Sequence, residues 1–322
     1  MRISTSMIYD AGVSGIQNTQ ASELDTYNQI ATGRRVLTPS DDPVAAAQAL
    51  VVQQSQSVTA NYATNQGNAQ DRLTLEETQL QSAGDTIQAV LDKLVQAGNT
   101  SLSDVNRASI AQELQTRLDE MVSIANSQDG SGHYIFSGYQ SNTRPFSVNN
   151  VTGPYSNTNP YVSYNGDQGT ITLQVDASRQ MAVSDNGASV FMRIQDGNGN
   201  VISQSVFDTL KNAIDTLNTP VANNAAAAAA LPTKVSDAIN QLHDALNTVV
   251  QVRTSVGARR SELDSLSTAT SAVNLQYKTT LSNLQDMDYA DAISSLSKQQ
   301  VQLQAAQKAF VTVSSLSLFK LI

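Results

Sequence analysis

Residues 242–284, LHDALNTVVQVRTSVGARRSELDSLSTATSAVNLQYKTTLSNL, carry the strongest periodicity of the chain. Every seventh residue is apolar, aromatic or threonine: Leu242, Val249, Val256, Leu263, Thr270, Tyr277 and Leu284. A seven-residue repeat places these side chains on one face of a helix. The pattern predicts a helix of about 50 residues, which is longer than most globular cores need and is typical of a coiled coil or a rod.

A matching arm precedes the middle of the chain. Its heptad residues are Leu73, Leu80, Ile87 and Leu94, with Ala69, Ala83, Val90 and Ala97 at the second seam position. Asp42-Pro43 is typical of a helix start and Gly98-Asn99 of a helix end. Ser103 can cap a third helix, whose apolar stripe is Ile110, Leu114, Leu118, Met121 and Ala125. The small seam residues predict close packing between helices.

The pattern between these arms changes to period two. Residues 133–136 are a strand candidate, and 161–164 and 170–175 are expected to pair as a hairpin across Asn165-Gly166. Helix returns near Val206, and a run of six alanines between two prolines forms a helical or flexible connector. We therefore expect a mainly α fold: an elongated antiparallel helical bundle formed by both chain ends, with a small β-rich inserted domain at the tip. We expect this insert to make only local contacts, so that a linker could replace residues 147–200.

Both chain ends have an apolar stripe and few charges. Residues 1–31 contain four charged side chains, and residues 299–322 contain Lys308 and Lys320 alone. A helix of this kind needs a partner that buries its stripe. We predict an assembly interface between copies of the chain, formed by Tyr9, Val13, Ile16, Leu24, Tyr27, Ile30, Leu296, Leu303, Phe310 and Val313.

Composition favours an interaction protein over an enzyme. Charged residues make up 15% of the chain and aromatic residues 5%, and the net charge is −9. This charge disfavours binding to nucleic acid or to an anionic membrane surface. The sequence contains no cysteine, which excludes disulfides and thiol catalysis. We identify no membrane-spanning stretch and no cleaved signal peptide at the N-terminus.

Candidate sites for catalysis or metal binding are weak, and we predict no cofactor and no metal. The two histidines, His133 and His243, lack the spacing of a metal site or a proton-transfer pair. Residues 196–200 resemble the opening of a calcium loop, but Val201 stands where the turn glycine belongs. Asp41 and Asp42 are better explained as helix-capping residues than as a carboxylate pair. Five arginines are either solvated charges or ion-pair partners for a neighbouring subunit: Arg34, Arg35, Arg253, Arg259 and Arg260.

Several local segments resemble the flagellin superfamily of bacterial flagellar axial proteins. At the N-terminal end the similarity covers QIATGRR at residues 29–35 and SDDPVAAA at 40–47. At the C-terminal end it covers MDYADAI at 287–293 and LSLF at 316–319. The opening residues 1–7, the segment 134–146 and VFDTL at 206–210 are more similar to proteins of the hook–filament junction than to filament flagellin. The resemblance covers essentially the whole chain and is weakest over 147–200.

The resemblance implies five regions along the chain. Residues 1–35 and 286–322 would be inner-core helices, 36–132 and 204–285 the two parts of a helical rod domain, and 133–203 a β-rich outer insert. It implies a structural subunit, and not an enzyme, that forms a ring of about eleven copies joining the hook region to the filament. Implied partners are a neighbouring hook-associated protein, flagellin, the filament cap during assembly and a cytoplasmic chaperone of the type III export apparatus. The protein would be extracellular, after export without a cleaved signal peptide. Filament flagellin itself and a coiled-coil adaptor unrelated to flagella are the alternatives.

Overall fold

The structure is a computed structural model of the 322-residue chain, and it describes residues 5–196, 199–201 and 204–319. The helices are α1 (Thr5–Thr32), α2 (Pro43–Ala97), α3 (Asp104–Ala125), α4 (Val206–Asn218), α5 (Ala225–Gln285) and α6 (Tyr289–Phe319). The strands are β1 (Phe146–Val148), β2 (Val162–Tyr164), β3 (Thr172–Asp176) and β4 (Arg179–Ala182), and a short π-helix covers Ala188–Met192. The chain divides into two units. The terminal unit contains Met1–Ala60 and Ser271–Ile322, and the central unit contains Asn61–Thr270.

The core of the central unit follows the heptad pattern. All eight predicted seam residues of α2 are fully buried, and so are Leu114, Leu118 and Met121 of α3. Helix α4 adds Phe207 and Leu210 to the same cluster, and α5 adds Leu242 and its heptad partners as far as Leu263. The predicted mainly α fold with long helices from both ends is therefore confirmed.

Polar residues at the helix starts explain where the helices begin. The carboxylate of Asp42 accepts the amide of Ala45 at 2.9 Å, which caps α2 as predicted. The hydroxyl of Ser103 accepts the amide of Asn106 at 3.2 Å at the start of α3. Ser205 and Asp208 form a reciprocal capping box at α4, and both are fully buried.

The strands pair differently from the prediction. β1 pairs with β2 antiparallel, with Phe146 opposite Tyr164, and β3 pairs with β4, with Leu173 opposite Met181. The predicted hairpin between 161–164 and 170–175 is therefore wrong. The chain turns away after β2 because the Asp167 carboxylate accepts the amides of Tyr139 at 2.9 Å and Gly169 at 2.7 Å. The strand predicted at residues 133–136 is also wrong. This segment forms a single isolated β-bridge, between Gln128 and Tyr134.

The β-rich region is part of the central core, which corrects the expectation of purely local contacts. Val175, Met181, Val190 and Phe191 belong to the same buried cluster as the long helices. Polar side chains on α2 and α5 also bind its backbone. The amide of Gln66 donates to the Val175 carbonyl at 2.8 Å, and other anchors include Glu76 to Asp185 N–H and Arg259 to the Ala182 carbonyl.

Candidate assembly interface

The two terminal helices pack against each other antiparallel within the terminal unit. The end of α1 meets the start of α6, where the amide of Met287 donates to the Gly33 carbonyl at 3.1 Å. Towards the other ends, the rings of Tyr9 and Phe310 lie with centroids 5.0 Å apart. The low-charge stripes predicted at both ends of the sequence are thus brought together in one pair of helices.

The ten predicted interface residues fall into two groups. The first group is half-buried along the α1–α6 pair: Val13, Ile16, Ile30, Leu296, Leu303 and Phe310. The second group remains exposed at 55% for Tyr9, 60% for Leu24, 61% for Tyr27 and 48% for Val313. A single chain therefore covers only part of the predicted stripe.

The terminal unit leaves an unusual amount of apolar surface uncovered. Its buried hydrophobic residues are small or medium in size: Val36, Ala45, Ala49 and Ala292. Where side-chain exposure is described in this unit, sixteen large hydrophobic residues are exposed: Met7, Tyr9, Leu24, Tyr27, Leu37, Val44, Leu50, Val51, Val58, Val273, Leu275, Tyr289, Ile293, Val301, Val311 and Val313. Large exposed apolar areas mark interaction sites in soluble proteins. The exposed apolar residues of this unit therefore support the expectation of an assembly interface, which stays a prediction.

A turn after α1 docks on the end of α5, and sequence reasoning missed this contact. The amide of Arg35 donates to the Gln285 carbonyl at 2.7 Å, and its guanidinium reaches the Leu284 carbonyl and the Asp42 carboxylate, each at 3.1 Å. Gly33 permits this approach because its φ is +73° and a side chain there would meet the Tyr289 hydroxyl. Two of the regions that resemble flagellins, 29–47 and 287–293, are therefore neighbours in this unit.

The adjacent carboxylates in this turn organise the backbone. The amides of Thr38 and Leu37 donate to Asp41, and these hydrogen bonds lower the pKa of Asp41 below its usual value. The Ala45 amide and then the Arg35 guanidinium lower the pKa of Asp42 in the same way. Asp42 is thus held as a charged helix cap, in keeping with the interpretation made from the sequence. Asp41 instead accepts amides that precede it and closes the turn before α2, so the capping interpretation is wrong for this residue.

Three of the five arginines considered as intersubunit partners are used within the chain. Arg35 pairs with Asp42, Arg253 with Glu77 at 2.9 Å, and Arg259 with Asp185. The alternative of lateral ion pairs with a neighbouring subunit stays a prediction for all five arginines. Arg34 is exposed and Arg260 is half-buried.

The structure gives no catalytic arrangement at the remaining candidates. His133 lies 3.7 Å from Asp129, and His243 is exposed on α5. Asp196 accepts the amide of Asn200 at 2.8 Å, as in an ordinary turn. Within the described ranges, no three acidic, histidine or cysteine side chains converge as metal ligands, and no helix is long and apolar enough to span a bilayer.

A second apolar surface lies on the start of α2 and the end of α5, and the sequence analysis did not identify it. Leu50, Val51 and Leu275 are exposed by about two thirds, at 66%, 67% and 66%. Beside them, an apolar groove of about 370 Å³ is lined by Gln48, Val51, Val52, Thr280 and Leu284. The sequence does contain a sign of this surface: residues 43–70 include no charged side chain, which is unusual for a helix face exposed to water.

Comparison with known proteins places both chain ends in one family. Residues 3–141 match the bacterial flagellin N-terminal helical region, and residues 237–322 match the bacterial flagellin C-terminal helical region. Flagellar hook-associated protein 3 of Salmonella typhimurium is 38% identical over 326 residues, which cover 100% of this chain and 99% of that protein. The protein of the same name from Escherichia coli is 38% identical over 331 residues, with the same coverage of both chains.

Solved structures agree with this fold. Flagellar hook-associated protein-3 of Legionella pneumophila is 22% identical, has a TM-score of 0.65, and covers 73% of this chain and 98% of its own. FlgL of Xanthomonas campestris is 23% identical, has a TM-score of 0.62, and covers 72% of this chain and 99% of its own. At these identities the likeness concerns the fold alone.

Proposed function

Because this chain belongs to the flagellar hook-associated protein 3 family of flagellin-like proteins, we propose that it is a structural subunit of the bacterial flagellum that joins the hook region to the flagellin filament. One structural observation carries this proposal. In the part of the terminal unit that the structure describes, sixteen large hydrophobic residues are exposed and the buried hydrophobic residues are all small or medium in size. A surface of this kind is stable in water when neighbouring copies cover it.

The details of the assembly are part of the proposal. Subunits associate head to tail into a ring of about eleven copies, since such heterologous contacts close when the rotation permits. The neighbours are another hook-associated protein on the cell side, flagellin on the distal side and the filament cap during assembly. The predicted inner-core regions 1–35 and 286–322 supply the contacts between copies. The chain acts as a scaffold and not as an enzyme.

The export route belongs to the same proposal. The chain reaches the extracellular flagellum through the flagellar type III apparatus, without a cleaved signal peptide. A cytoplasmic chaperone holds the C-terminal region beforehand and covers its apolar stripe. Family membership removes the non-flagellar coiled-coil adaptor from the alternatives. Filament flagellin is the other alternative. It is disfavoured because two relatives that match over the full length are named flagellar hook-associated protein 3.

Electron microscopy of a deletion strain tests the position in the flagellum. We expect hooks without filaments, and flagellin released into the medium. A strain that lacks the hook itself, or that keeps its filaments, would contradict the proposed position.

A charge in the terminal stripe tests the interface. Phe310 is half-buried, and burial of such a side chain contributes roughly 1.5–3 kcal/mol. In Phe310→Asp an unpaired charge enters a packed contact, which costs several kcal/mol. We expect a chain that is exported and retains a folded central unit, but does not hold the filament. Gln304→Asp places the same charge at an exposed position of α6 and serves as the control. Normal swimming of Phe310→Asp, or equal loss in both variants, would contradict the role of the stripe.

A further inference from the structure

Gly12 in α1 lies directly against the ring of Phe310 in α6. A Cβ atom added at Gly12 would be 2.7 Å from Cδ2 and 3.1 Å from Cε2 of that ring. Carbon atoms in favourable contact are about 3.5–4.0 Å apart. Any side chain at Gly12 would therefore overlap the Phe310 ring in the present arrangement.

A movement of the ring away from Gly12 would change its packing against a second neighbour. Tyr9 packs against Phe310 with a centroid separation of 5.0 Å and an interplanar angle of 52°. Tyr9 and Gly12 are three residues apart on α1, so both lie on the face that meets α6. The aromatic ring of Phe310 is thus seated against the Tyr9 side chain and the bare backbone of Gly12 together.

Gly15 provides an internal comparison in the same helix. A Cβ atom added there would meet no atom within 4 Å, and the residue is exposed. Glycine inside a helix is destabilising relative to alanine at both positions. At Gly12 the structure supplies a steric reason for keeping glycine, whereas at Gly15 it supplies none.

We propose that Gly12 is a positioning residue for assembly: with Tyr9 and Phe310 it forms a lock that fixes the position of α1 along α6. This inference rests on the proposed function, because the lock matters through the surface that the paired helices present. The exposed Leu24 and Tyr27 lie on α1, and Val301 and Val313 lie on α6. A shift of one helix along the other would displace these two sets of contact residues relative to each other.

Hydrogen exchange of the purified full chain tests the lock. We expect Gly12→Ala to lower amide protection around residues 9–16 and 306–313, despite its better helix propensity. Gly15→Ala should instead raise protection in α1 by about two- to fivefold, because the propensity gain is not opposed by a clash. Equal changes in the two variants would overturn the proposal, and so would a wild-type chain whose α1 and α6 show no protection at all.

A compensating variant separates this steric role from a general loss of stability. Phe310→Val removes both ring atoms that meet Gly12, Cδ2 and Cε2, whereas leucine would keep a Cδ atom beside it. In that background we expect Gly12→Ala to cause no further loss of filament retention, whereas in the wild-type background it should reduce retention clearly. A double-mutant cycle measures this coupling directly. Equal losses in both backgrounds would show that Gly12 acts independently of Phe310.

The two measurements distinguish this inference from the proposed function. Filaments that stay attached in the deletion strain would contradict the proposed function, while the exchange data would still decide whether the lock exists. Unchanged exchange in Gly12→Ala would refute the lock even where the deletion strain sheds its filaments. Thermal unfolding of the central unit should be unaltered in every variant, since its buried cluster lies between Ala69 and Leu263.

Discussion

Helix α5 keeps one heptad pattern from Leu242 to Leu284, yet burial along it changes sharply. In the central unit, Leu242, Val249, Val256 and Leu263 are at most 1% exposed. Further along, Thr270, Tyr277 and Leu284 are only half-buried. The spacing is the same, so spacing alone does not decide whether a stripe forms a core within one chain.

The two units differ in the same way throughout. The central unit contains the whole of the large buried cluster, including four phenylalanines in mutual ring contact. In the terminal unit, most of the large apolar side chains that the structure describes are exposed. We infer that the central unit is stable within one chain and that the terminal unit gains its remaining burial in assembly.

The largest test of this contrast replaces residues 147–200 with a short Gly/Ser linker. This change removes seven buried hydrophobic residues from the central cluster: Val162, Val175, Met181, Val183, Val190, Phe191 and Ile194. At roughly 1.5–3 kcal/mol each, the loss is on the order of 10–20 kcal/mol and exceeds a typical domain stability. We expect no cooperative unfolding transition by circular dichroism. A retained sharp transition would show that the long helices form a core without the β-rich region.

Truncating one leucine in each unit gives the next largest effect. Leu80 is fully buried, so Leu80→Ala should lower the free energy of unfolding by about 2–5 kcal/mol. Leu303 is half-buried, and Leu303→Ala should cost the purified chain less than about 1 kcal/mol while weakening filament retention. Urea unfolding and motility assays check the pair. Similar losses of stability in both variants would remove the distinction between the units.

Periodicity and capping residues predicted the helices well because both are local signals. The stripes of α2 and α3 are buried as predicted, and Asp42 and Ser103 cap the helices that they were expected to cap. The strand pairing could not be predicted in this way. After β2 the Asp167 carboxylate accepts the amide of Tyr139, which lies 28 residues away in the sequence, and such a contact has no local signal.

The candidate interface was predictable in part. Low charge and helical spacing identified the stripe residues, but they did not reveal that Phe310 would pack on Gly12 within the same chain. The groove beside Val51 was also not predicted. Gln and Ser residues interrupt the apolar heptad pattern of this segment, so the pattern gives no sign of an apolar surface. Residues that contact each other across more than 200 positions of sequence leave no local pattern.

A buried acid makes the central unit sensitive to pH. Glu76 is fully buried and accepts the Asp185 amide at 2.9 Å; burial, followed by the charge of Asp185, raises the pKa of Glu76 to about 8. The folded chain therefore keeps a proton that the unfolded chain releases near its ordinary pKa of 4.5. The contribution of Glu76 to stability should therefore be fully present below that value and fall by on the order of 2–4 kcal/mol as the pH rises to 8.

Urea unfolding at pH 5, 6.5 and 8 measures this dependence. Glu76→Gln should flatten the profile, because an amide carries no titrating proton. Glu113→Gln, which removes the exposed partner of Lys93, should leave the slope as it is in the wild type. A wild-type chain that is equally stable at pH 5 and pH 8 would contradict the raised pKa.

The smallest expected effect concerns the turn in the terminal unit. Arg35→Ala removes an exposed ion pair with Asp42 and the hydrogen bond to the Leu284 carbonyl, so it should cost about 1 kcal/mol locally. Arg117→Ala removes only an exposed pair with Glu120 and should stay within about 0.5 kcal/mol. Faster exchange of the Met287 amide, which bonds to Gly33, is the readout. No difference between the two variants would mean that the Leu284 contact adds nothing, and that the α1 turn and the end of α5 are held together by their backbone hydrogen bonds.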